Sequence, residues 1–292
     1  MRFGVLLPHI VPYADRATLE AWCAGIEAGP YDTVVVGERL VYDNLDHTVS
    51  LTAAALLTSR PSILFGLSVM PLHAAAVVAK QLASVDVLSQ GRLRVAVGVG
   101  GRPDDYEAAE RPMRHRHARL DEQVAALRRT WAEAAAGPGR GVGPAPLQAG
   151  GPPIYSSARG PKSLARAARW ADGNYGGSMP LSPEAIEAKG AEVRAAWSQA
   201  GRVGPPYLMD GVWFALGPDS DELIRSAGER YFGDVPLRAD FRWTPALAPC
   251  SGEAKLEAMI RAYEAAGWDE LILIPTSPAL DQLDRLSTFL LR

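Results

Sequence analysis

The sequence has little of several features that define whole classes of protein. Only two of its 292 residues are cysteines, Cys23 and Cys250, which is too few for a disulfide framework. No run approaches the roughly 18 apolar residues that a membrane helix needs. The apolar start of the chain, Phe3–Leu7, is too short for a signal peptide. We therefore expect a cytoplasmic protein without a membrane segment.

The chain also lacks an excess of either charge. Its 30 lysine and arginine residues nearly balance 33 aspartate and glutamate residues, which gives a formal net charge of −3. Nucleic acid is therefore not an expected partner, because binding a phosphate backbone requires a basic surface. Hydrophobic residues make up 48% of the sequence, as in ordinary globular domains.

Short apolar segments alternate with segments of helical periodicity along the chain. Several apolar segments have no charged position, which is typical of parallel strands covered by helices on both faces. An additional helix, Glu253–Ala266, precedes the last strand. The predicted strands are Phe3–Leu7, Thr33–Val36, Ile63–Met70, Leu93–Val99, Ile154–Ser157, Asp172–Gly176, Leu208–Leu216 and Leu271–Ile274.

Eight strand–helix units in 292 residues predict an α/β fold, a single (β/α)₈ TIM-barrel domain over residues 1–292 with an insertion before the last strand. A doubly wound open sheet is the alternative. Two stretches interrupt the alternation. Gly137–Pro153 is rich in glycine and proline and is predicted to be a loop. We expect the second, Asp234–Gly252, to shape the substrate pocket.

The turn after the fifth predicted strand is a candidate anion site. Its residues, Ser157, Ala158, Arg159 and Gly160, lead into a helix that begins at Pro161. Free N–H groups and the positive end of the helix dipole favour an anion at such a position. A plain helix cap made by Ser157 explains the same residues equally well.

Other motifs are weaker or missing. Gly100 and Gly101 follow the fourth strand and allow the backbone to approach a ligand closely. Gly98 and Gly100 do not form a dinucleotide fingerprint, because Pro103 occupies the place of the third glycine. No ligand spacing typical of a metal site occurs, so we predict none.

The segment Leu72–Leu93 resembles the signature of the bacterial-luciferase-like oxidoreductases, a family of flavin- and F420-dependent barrel enzymes. Its block Ala-Lys-Gln followed by Ser-Gln-Gly-Arg-Leu is highly specific for that family. The similarity continues through Val36–Tyr42, Val97–Gly101 and Arg166–Gly173. The resemblance spans roughly residues 1–175 and the last strand–helix unit.

The resemblance implies a cofactor, FMN or F420, in the mouth of the barrel and a small-molecule substrate beside it. The cofactor phosphate is expected on the turn Ser157–Gly160 and on the backbone of Gly100 and Gly101. Its ring is expected against a non-proline cis peptide of the third strand, at the position matching Ser68 and Val69. The resemblance also implies a homodimer.

One position departs from the family pattern. Many members have histidine directly after the acidic residue that ends the second strand, whereas this chain has Arg39 after Glu38. Arginine stays charged and does not act as a general acid near neutral pH. Arg39 is therefore predicted to stabilise an anion, and His9 and His73 are candidates for proton transfer. Glu38 is predicted to be a general base or a partner of Arg39.

The choice of cofactor stays open at this point. F420 implies hydride transfer to or from a small organic substrate, with exposed arginines such as Arg102 or Arg159 near its acidic tail. FMN implies a monooxygenase that uses reduced FMN and oxygen. A barrel that binds flavin without catalysis is a third possibility, because the usual histidine is replaced.

Overall fold

Eight parallel strands close into a ring in the computed structural model of the chain. Seven strands follow one another around the ring in chain order, and the last strand, Glu270–Pro275, pairs with both the seventh, Tyr207–Ala215, and the first, Arg2–Leu6. The sixth strand, Gly173–Tyr175, pairs with the seventh and completes the closure, so the fold is the predicted (β/α)₈ barrel and not an open sheet. The structure describes residues 1–8, 11–12, 15–137, 139, 141–176, 182–232 and 250–292.

The strands lie close to their predicted bounds, and each of the first seven is followed by at least one helix. The strands are β1 Arg2–Leu6, β2 Thr33–Val36, β3 Ser62–Val69, β4 Leu93–Gly98, β5 Ile154–Ser156, β6 Gly173–Tyr175, β7 Tyr207–Ala215, β8 Cys250–Ser251 and β9 Glu270–Pro275. The helices are α1 Arg16–Ala28, α2 His47–Leu57, α3 Ala75–Leu88, α4 Pro103–Ala108, α5 Arg116–Ala135, α6 Pro161–Ala167, α7 Pro183–Gln199, α8 Ser220–Phe232, α9 Glu253–Ala265 and α10 Asp281–Leu290.

Two elements were not predicted from the sequence. Helix α4 begins at Pro103 and has Asp104 and Asp105 in its first turn, which is a normal helix start. Strand β8 is two residues long and pairs in parallel with the end of β7. Helix α9 is the predicted insertion before the last strand.

No described helix has the length and hydrophobicity needed to cross a membrane.

Alternation along the strands divides the core into two parts. One set of side chains fills the inside of the barrel, and the other packs against the surrounding helices. The inner set is Leu6, Val35, Leu64, Ala96, Tyr155, Tyr175, Met209 and Ile272.

A buried ion pair closes the end of the barrel at which the strands begin. Arg94 Nη1 donates to Glu270 Oε2 at 2.7 Å, and the Glu270 side chain has no solvent exposure. Thr33 Oγ1 donates to Glu270 Oε1 at 2.5 Å, and the Tyr207 hydroxyl donates to Oε2 at 3.0 Å. The rings of Tyr155 and Tyr207 lie 5.1 and 4.9 Å from the Arg94 guanidinium carbon. These contacts join five strands across the barrel, so the opposite end is left as the mouth.

We expect Arg94→Met to lower the free energy of unfolding by about 3–5 kcal/mol, because Glu270 then stays buried without its countercharge. The double variant Arg94→Met/Glu270→Met should recover most of the loss. Urea denaturation followed by circular dichroism measures both. Arg225→Gln, which breaks only exposed pairs with Glu222 and Glu229, is the control and should change little. A single variant as stable as the wild type would contradict this account.

Candidate active site

Glu38 and Arg39 follow β2 and make separate sets of contacts at the mouth. Consecutive residues of an extended chain point to opposite sides. Glu38 contacts His47, Val69 and His73, whereas Arg39 contacts Tyr42, Asp105 and Tyr231. The two residues are therefore not ion-pair partners, so that proposed role of Glu38 is wrong.

Glu38 is the centre of a buried hydrogen-bonded cluster. Its carboxylate Oε2 accepts the Val69 N–H at 2.6 Å, and Oε1 lies 2.5 Å from His73 Nε2. His47 Nδ1 lies 3.8 Å from the same Oε1, and the His47 ring stacks on Phe65 at 4.8 Å. The cluster ties the end of β2 to the end of β3 and to the start of α2.

The surroundings shift the pKa values of all three titratable groups. Burial raises the pKa of Glu38, but the hydrogen bond from His73 and the charges of both histidines bring it below its usual value. Burial lowers the pKa of His73, but its hydrogen bond with Glu38 and the negative charges of Glu38 and Asp46 together outweigh this and leave the pKa raised. Burial lowers the pKa of His47. Near neutral pH the arrangement favours a Glu38–His73 ion pair beside a neutral His47.

Arg39 is buried on the other side, with 6% of its side chain exposed. Its guanidinium carbon lies 4.8 Å from the centre of the Tyr42 ring and 5.1 Å from that of Tyr231. Nη2 donates to the Val41 carbonyl at 2.9 Å, and Nε lies 3.6 Å from Asp105 Oδ2. Arg39 thus places a fixed positive charge in an aromatic environment at the mouth.

Arg102 lies in the same region. It is 5% exposed, its Nη2 donates to the Tyr231 carbonyl at 2.6 Å, and its guanidinium carbon lies 5.1 Å from the Tyr231 ring centre. The expectation of an exposed Arg102 was therefore wrong, because α8 covers this side chain. Arg159 is exposed, as expected.

Some hydrogen-bond donors of the turn between β5 and α6 bond to acceptors within the chain, and others have no acceptor among the described residues. The N–H groups of Ser157, Ala158 and Gly160 donate to Val97 O, Asn174 Oδ1 and Ser163 Oγ. Among the described residues, no acceptor is found for the Arg159 N–H or for the Ser157 hydroxyl. Pro161 at the start of α6 has no N–H group, and the N–H groups of Lys162 and Ser163 have no acceptor among the described residues, as is usual in a first helical turn.

Asn174 fixes the shape of this turn, and sequence reasoning missed it. It is fully buried in the middle of β6, its Oδ1 accepts a hydrogen bond from Ser156 Oγ at 2.6 Å, and its Nδ2 donates to the Ala158 carbonyl at 3.3 Å. Its place in a predicted strand was visible in the sequence, but its partners were not.

The non-proline cis peptide lies between Gly66 and Leu67, two residues before the expected position at Ser68 and Val69. At Gly66 a Cβ would lie 2.9 Å from Val35 Cγ1 and 3.2 Å from Tyr175 Cε1, so the inside of the barrel has no room for a side chain there. Ser68 is fully buried and lines a small cavity against α2 and α3, on the side away from the barrel axis.

Val69 and the glycines after β4 are close together. Gly100 has φ of +62°, and a Cβ there would lie 2.6 Å from Val69 Cγ1, so both its backbone conformation and its contact require glycine. Gly101 is exposed. Val69 packs with Leu72 and Tyr106, and its N–H is held by Glu38. Gly100 is thus fixed beside the end of β3, as a cofactor contact there requires.

A sequence model of the luciferase-like monooxygenase family matches residues 1–274. The chain belongs to this family. The luciferase-like chain is also 32% identical over 240 residues to an F420-dependent hydroxymycolic acid dehydrogenase of Mycobacterium tuberculosis, a match covering 77% of this chain and 65% of the dehydrogenase. Other mycobacterial relatives, uncharacterised proteins 31% identical over 192 residues, are matched over 66% of their length and 63% of this chain.

Two solved structures share the fold of the luciferase-like chain. A monooxygenase, RslO1 from Streptomyces bottropensis, superimposes with a TM-score of 0.80 at 23% identity, over 99% of this chain and 97% of that one. An F420-dependent secondary alcohol dehydrogenase bound to an F420–acetone adduct gives 0.77 at 17% identity, with the same coverage.

Two histidines of the luciferase-like chain differ from the assignment of the site made from the sequence. His9, a proposed catalytic residue, lies outside the described residues. His47 was not predicted, and it joins Glu38 and His73 in a group whose ligand atoms lie within 4.8 Å of one another. No local spacing signals this group, because its members come from three separate elements.

The stabilisation by the Glu38–His73 pair should depend on pH. The raised pKa of His73 contributes stability that is present below about pH 6.5 and is lost as pH rises through the folded-state pKa. The lowered pKa of Glu38 contributes stability that is present above about pH 4.5 and is lost on further acidification. The pair should therefore stabilise the luciferase-like chain most between these values.

His73→Gln keeps a hydrogen-bond donor but removes the charge, so we expect it to cost about 1 kcal/mol near pH 6 and progressively less at higher pH. The measurement is urea unfolding at a series of pH values. His115→Asn, at the exposed start of α5, is the control. A His73→Gln effect that is constant from pH 5 to 9 would show that the ion pair does not form.

Proposed function

We propose that the protein is an F420-dependent oxidoreductase that transfers a hydride to or from a small organic substrate. The observation that carries the proposal is the turn between β5 and α6, which offers hydrogen-bond donors without acceptors among the described residues. Ser157 of this turn lies against Gly98 at the end of β4. The similarity to the F420-dependent dehydrogenase, 32% over 240 residues, supports F420 as the cofactor. The two buried, unpaired cysteines support a cytoplasmic location.

The mouth fits a planar cofactor with a phosphate group. A Cβ on Gly98 would lie 3.0 Å from Leu67 Cδ1 and 3.3 Å from Ser157 Cβ, so Leu67 and Ser157 pack closely over this glycine. Ser157 thus lies between Leu67 and the donors of the turn. In this proposal the Ser157 hydroxyl, the guanidinium and N–H of Arg159 and the start of α6 bind the phosphate, and Leu67 supports the ring.

When bound, F420 supplies the hydride acceptor or donor. The residues of the chain orient the substrate, exclude water and provide charge. Arg39 places a positive charge that stabilises negative charge developing on the substrate, because its guanidinium is buried and keeps its proton. The Glu38–His73 pair holds a proton at His73 Nε2, and 28% of the His73 side chain is exposed. Among the described residues, His73 is therefore the candidate for proton exchange.

FMN is the second candidate cofactor, with oxygen as co-substrate. A Baeyer–Villiger monooxygenase of Pseudomonas putida in complex with FMN, which has the same fold with a TM-score of 0.72 at 14% identity, supports this alternative. Both cofactors carry a phosphate and a tricyclic ring, so the same turn serves either. Their discrimination requires a binding measurement.

Titration of the purified protein with F420 and with FMN, followed by fluorescence, should give tighter binding of F420. We expect Ser157→Ala/Arg159→Ala to weaken binding by roughly 1–3 kcal/mol for each lost charged hydrogen bond. Arg285→Ala/Thr288→Ala on the exposed face of α10 is the matched control. Equal affinity of the double variant and the wild type would remove the turn from the cofactor site, and tighter binding of FMN would reverse the choice of cofactor.

The proposal includes a homodimer formed through helices α2 and α3. Helix α2 has no Asp, Glu, Lys or Arg between His47 and Leu57, and it packs beside α3. Large apolar side chains on the outside of both helices are exposed: Val49 64%, Leu56 63%, Val77 55% and Leu88 46%. Lys80, the charged residue exposed on α3, donates to the Gly143 carbonyl at 2.8 Å. Such a continuous apolar face is typical of a subunit interface.

We expect Leu56→Glu to convert the dimer into a monomer, because it places a charge at the centre of this face. Size-exclusion chromatography with light scattering measures the mass. Val203→Glu is the control, since Val203 is fully exposed in a loop away from α2 and α3. A dimeric Leu56→Glu variant, or a wild type that is monomeric at every concentration, would contradict the proposed interface.

A further inference from the structure

Arg39 and Arg102 have buried N–H groups without an acceptor. The unpartnered atoms are Nε and Nη1 of Arg39 and Nη1 of Arg102. A buried polar group that lacks a partner costs stability, so folded proteins rarely keep several of them together. Two such side chains in one place therefore suggest a ligand that supplies the missing acceptors.

Most other buried arginines of the described residues are satisfied, although Arg116 also keeps a buried Nε without a hydrogen-bond partner. Arg39 and Arg102 differ because their unpartnered groups belong to two side chains that lie against the same Tyr231 ring. Arg60, for example, donates to the carbonyls of Glu27, Gly29 and Tyr31, at 2.9, 2.8 and 2.7 Å. Arg92 is held in the same way by carbonyls from α2 and the following turn. The chain thus uses main-chain oxygens to saturate structural guanidinium groups, but not those of Arg39 and Arg102.

The charges around the pair leave an excess of positive charge. Asp105 Oδ2 lies 3.6 Å from Arg39 Nε, close enough for an ion pair but too far for a hydrogen bond, and Asp105 Oδ1 accepts the Val41 N–H at 2.8 Å. Asp104 is the second carboxylate that acts on Arg102. Arg230 adds a third positive charge near Tyr42. Three arginines against two aspartates favour a ligand with one negative charge.

Arg39 and Arg102 lie close to each other around one aromatic ring. Each guanidinium carbon lies 5.1 Å from the centre of the Tyr231 ring, and burial together with the charge of Arg39 lowers the pKa of Arg102. Planar carboxylates match guanidinium donors well. The remaining neighbours are aromatic: Tyr42 and Trp213 lie edge-on to Tyr231 at 5.7 Å, and Phe232 stacks on Trp213 at 5.2 Å.

We propose that Arg39 and Arg102 bind the carboxylate of the substrate, so that the substrate class is an organic monocarboxylate with an apolar body. This inference rests on the proposed oxidoreductase function. The unpartnered N–H groups are covered in the structure, and Tyr231 shares the contacts of both arginines. A carboxylate therefore reaches them when the Tyr231 end of α8 moves aside.

The acidic tail of F420 is the other source of carboxylates, and the experiment separates the two. The probes are benzoate and hexanoate, each compared with its uncharged amide, in ligand-observed NMR on the wild type with and without bound cofactor. We expect both carboxylates to bind at least tenfold more tightly than the amides. Arg39→Met and Arg102→Met should each lose at least tenfold in carboxylate affinity, whereas Arg285→Met on α10 should not.

Circular dichroism tests whether each variant is folded. If a methionine variant is not folded, the lysine variant at the same position, Arg39→Lys or Arg102→Lys, takes its place. The variants are then titrated with F420 and with the same deazaflavin lacking its tail. Unchanged affinity for both supports the proposal. A loss for F420 alone would assign the arginines to the cofactor tail and overturn it, as would equal binding of carboxylates and amides. If neither cofactor binds the wild type, the proposed function fails, while the carboxylate titration still tests the arginine site.

Discussion

The rest of the structure depends on the neutralisation of Glu270 inside the barrel. A fully buried carboxylate is costly in an apolar core unless donors surround it. Its donors come from β2, β4 and β7, so the charge is satisfied only when these strands meet across the barrel. The ion pair and its tyrosines fill the end at which the strands begin. Ligands are thereby restricted to the opposite end, where Glu38, Arg39, Ser157 and Asn174 lie.

At that mouth, the chemistry is divided between two neighbouring groups of residues. Glu38 and the two histidines form a hydrogen-bonded unit that locks β2, β3 and α2 together. Arg39 and Arg102 form a cationic unit embedded in aromatic rings and joined to α8. The turn after β5 is a third region, shaped by Asn174 and presenting its free donors to the neighbouring strand ends.

The barrel could be predicted from the sequence because apolar strands and amphipathic helices alternate locally. The turn Ser157–Gly160 before α6 could be predicted in the same way, whereas its role as an anion site stays a prediction. The cluster of His47 and His73 around Glu38 could not be predicted, because its members meet only through the parallel register of β2 and β3. Arg102 was misjudged for a similar reason: its burial depends on Tyr231, which lies 129 residues further along the chain. The cis peptide was placed two residues late, because the tight space around Gly66 is formed by Val35 and Tyr175 from other strands.

The opposite orientations of Glu38 and Arg39 separate a titrating unit from a permanent charge. Arginine keeps its proton throughout the physiological range, so acidification leaves the electric field that Arg39 adds to the mouth constant. The groups that titrate near neutral pH, His47 and His73, contact Glu38 and not Arg39. In the proposed function, the positive charge and the proton exchange thus belong to different side chains, Arg39 and His73. A change of working pH would then require no change of the residue that provides the field.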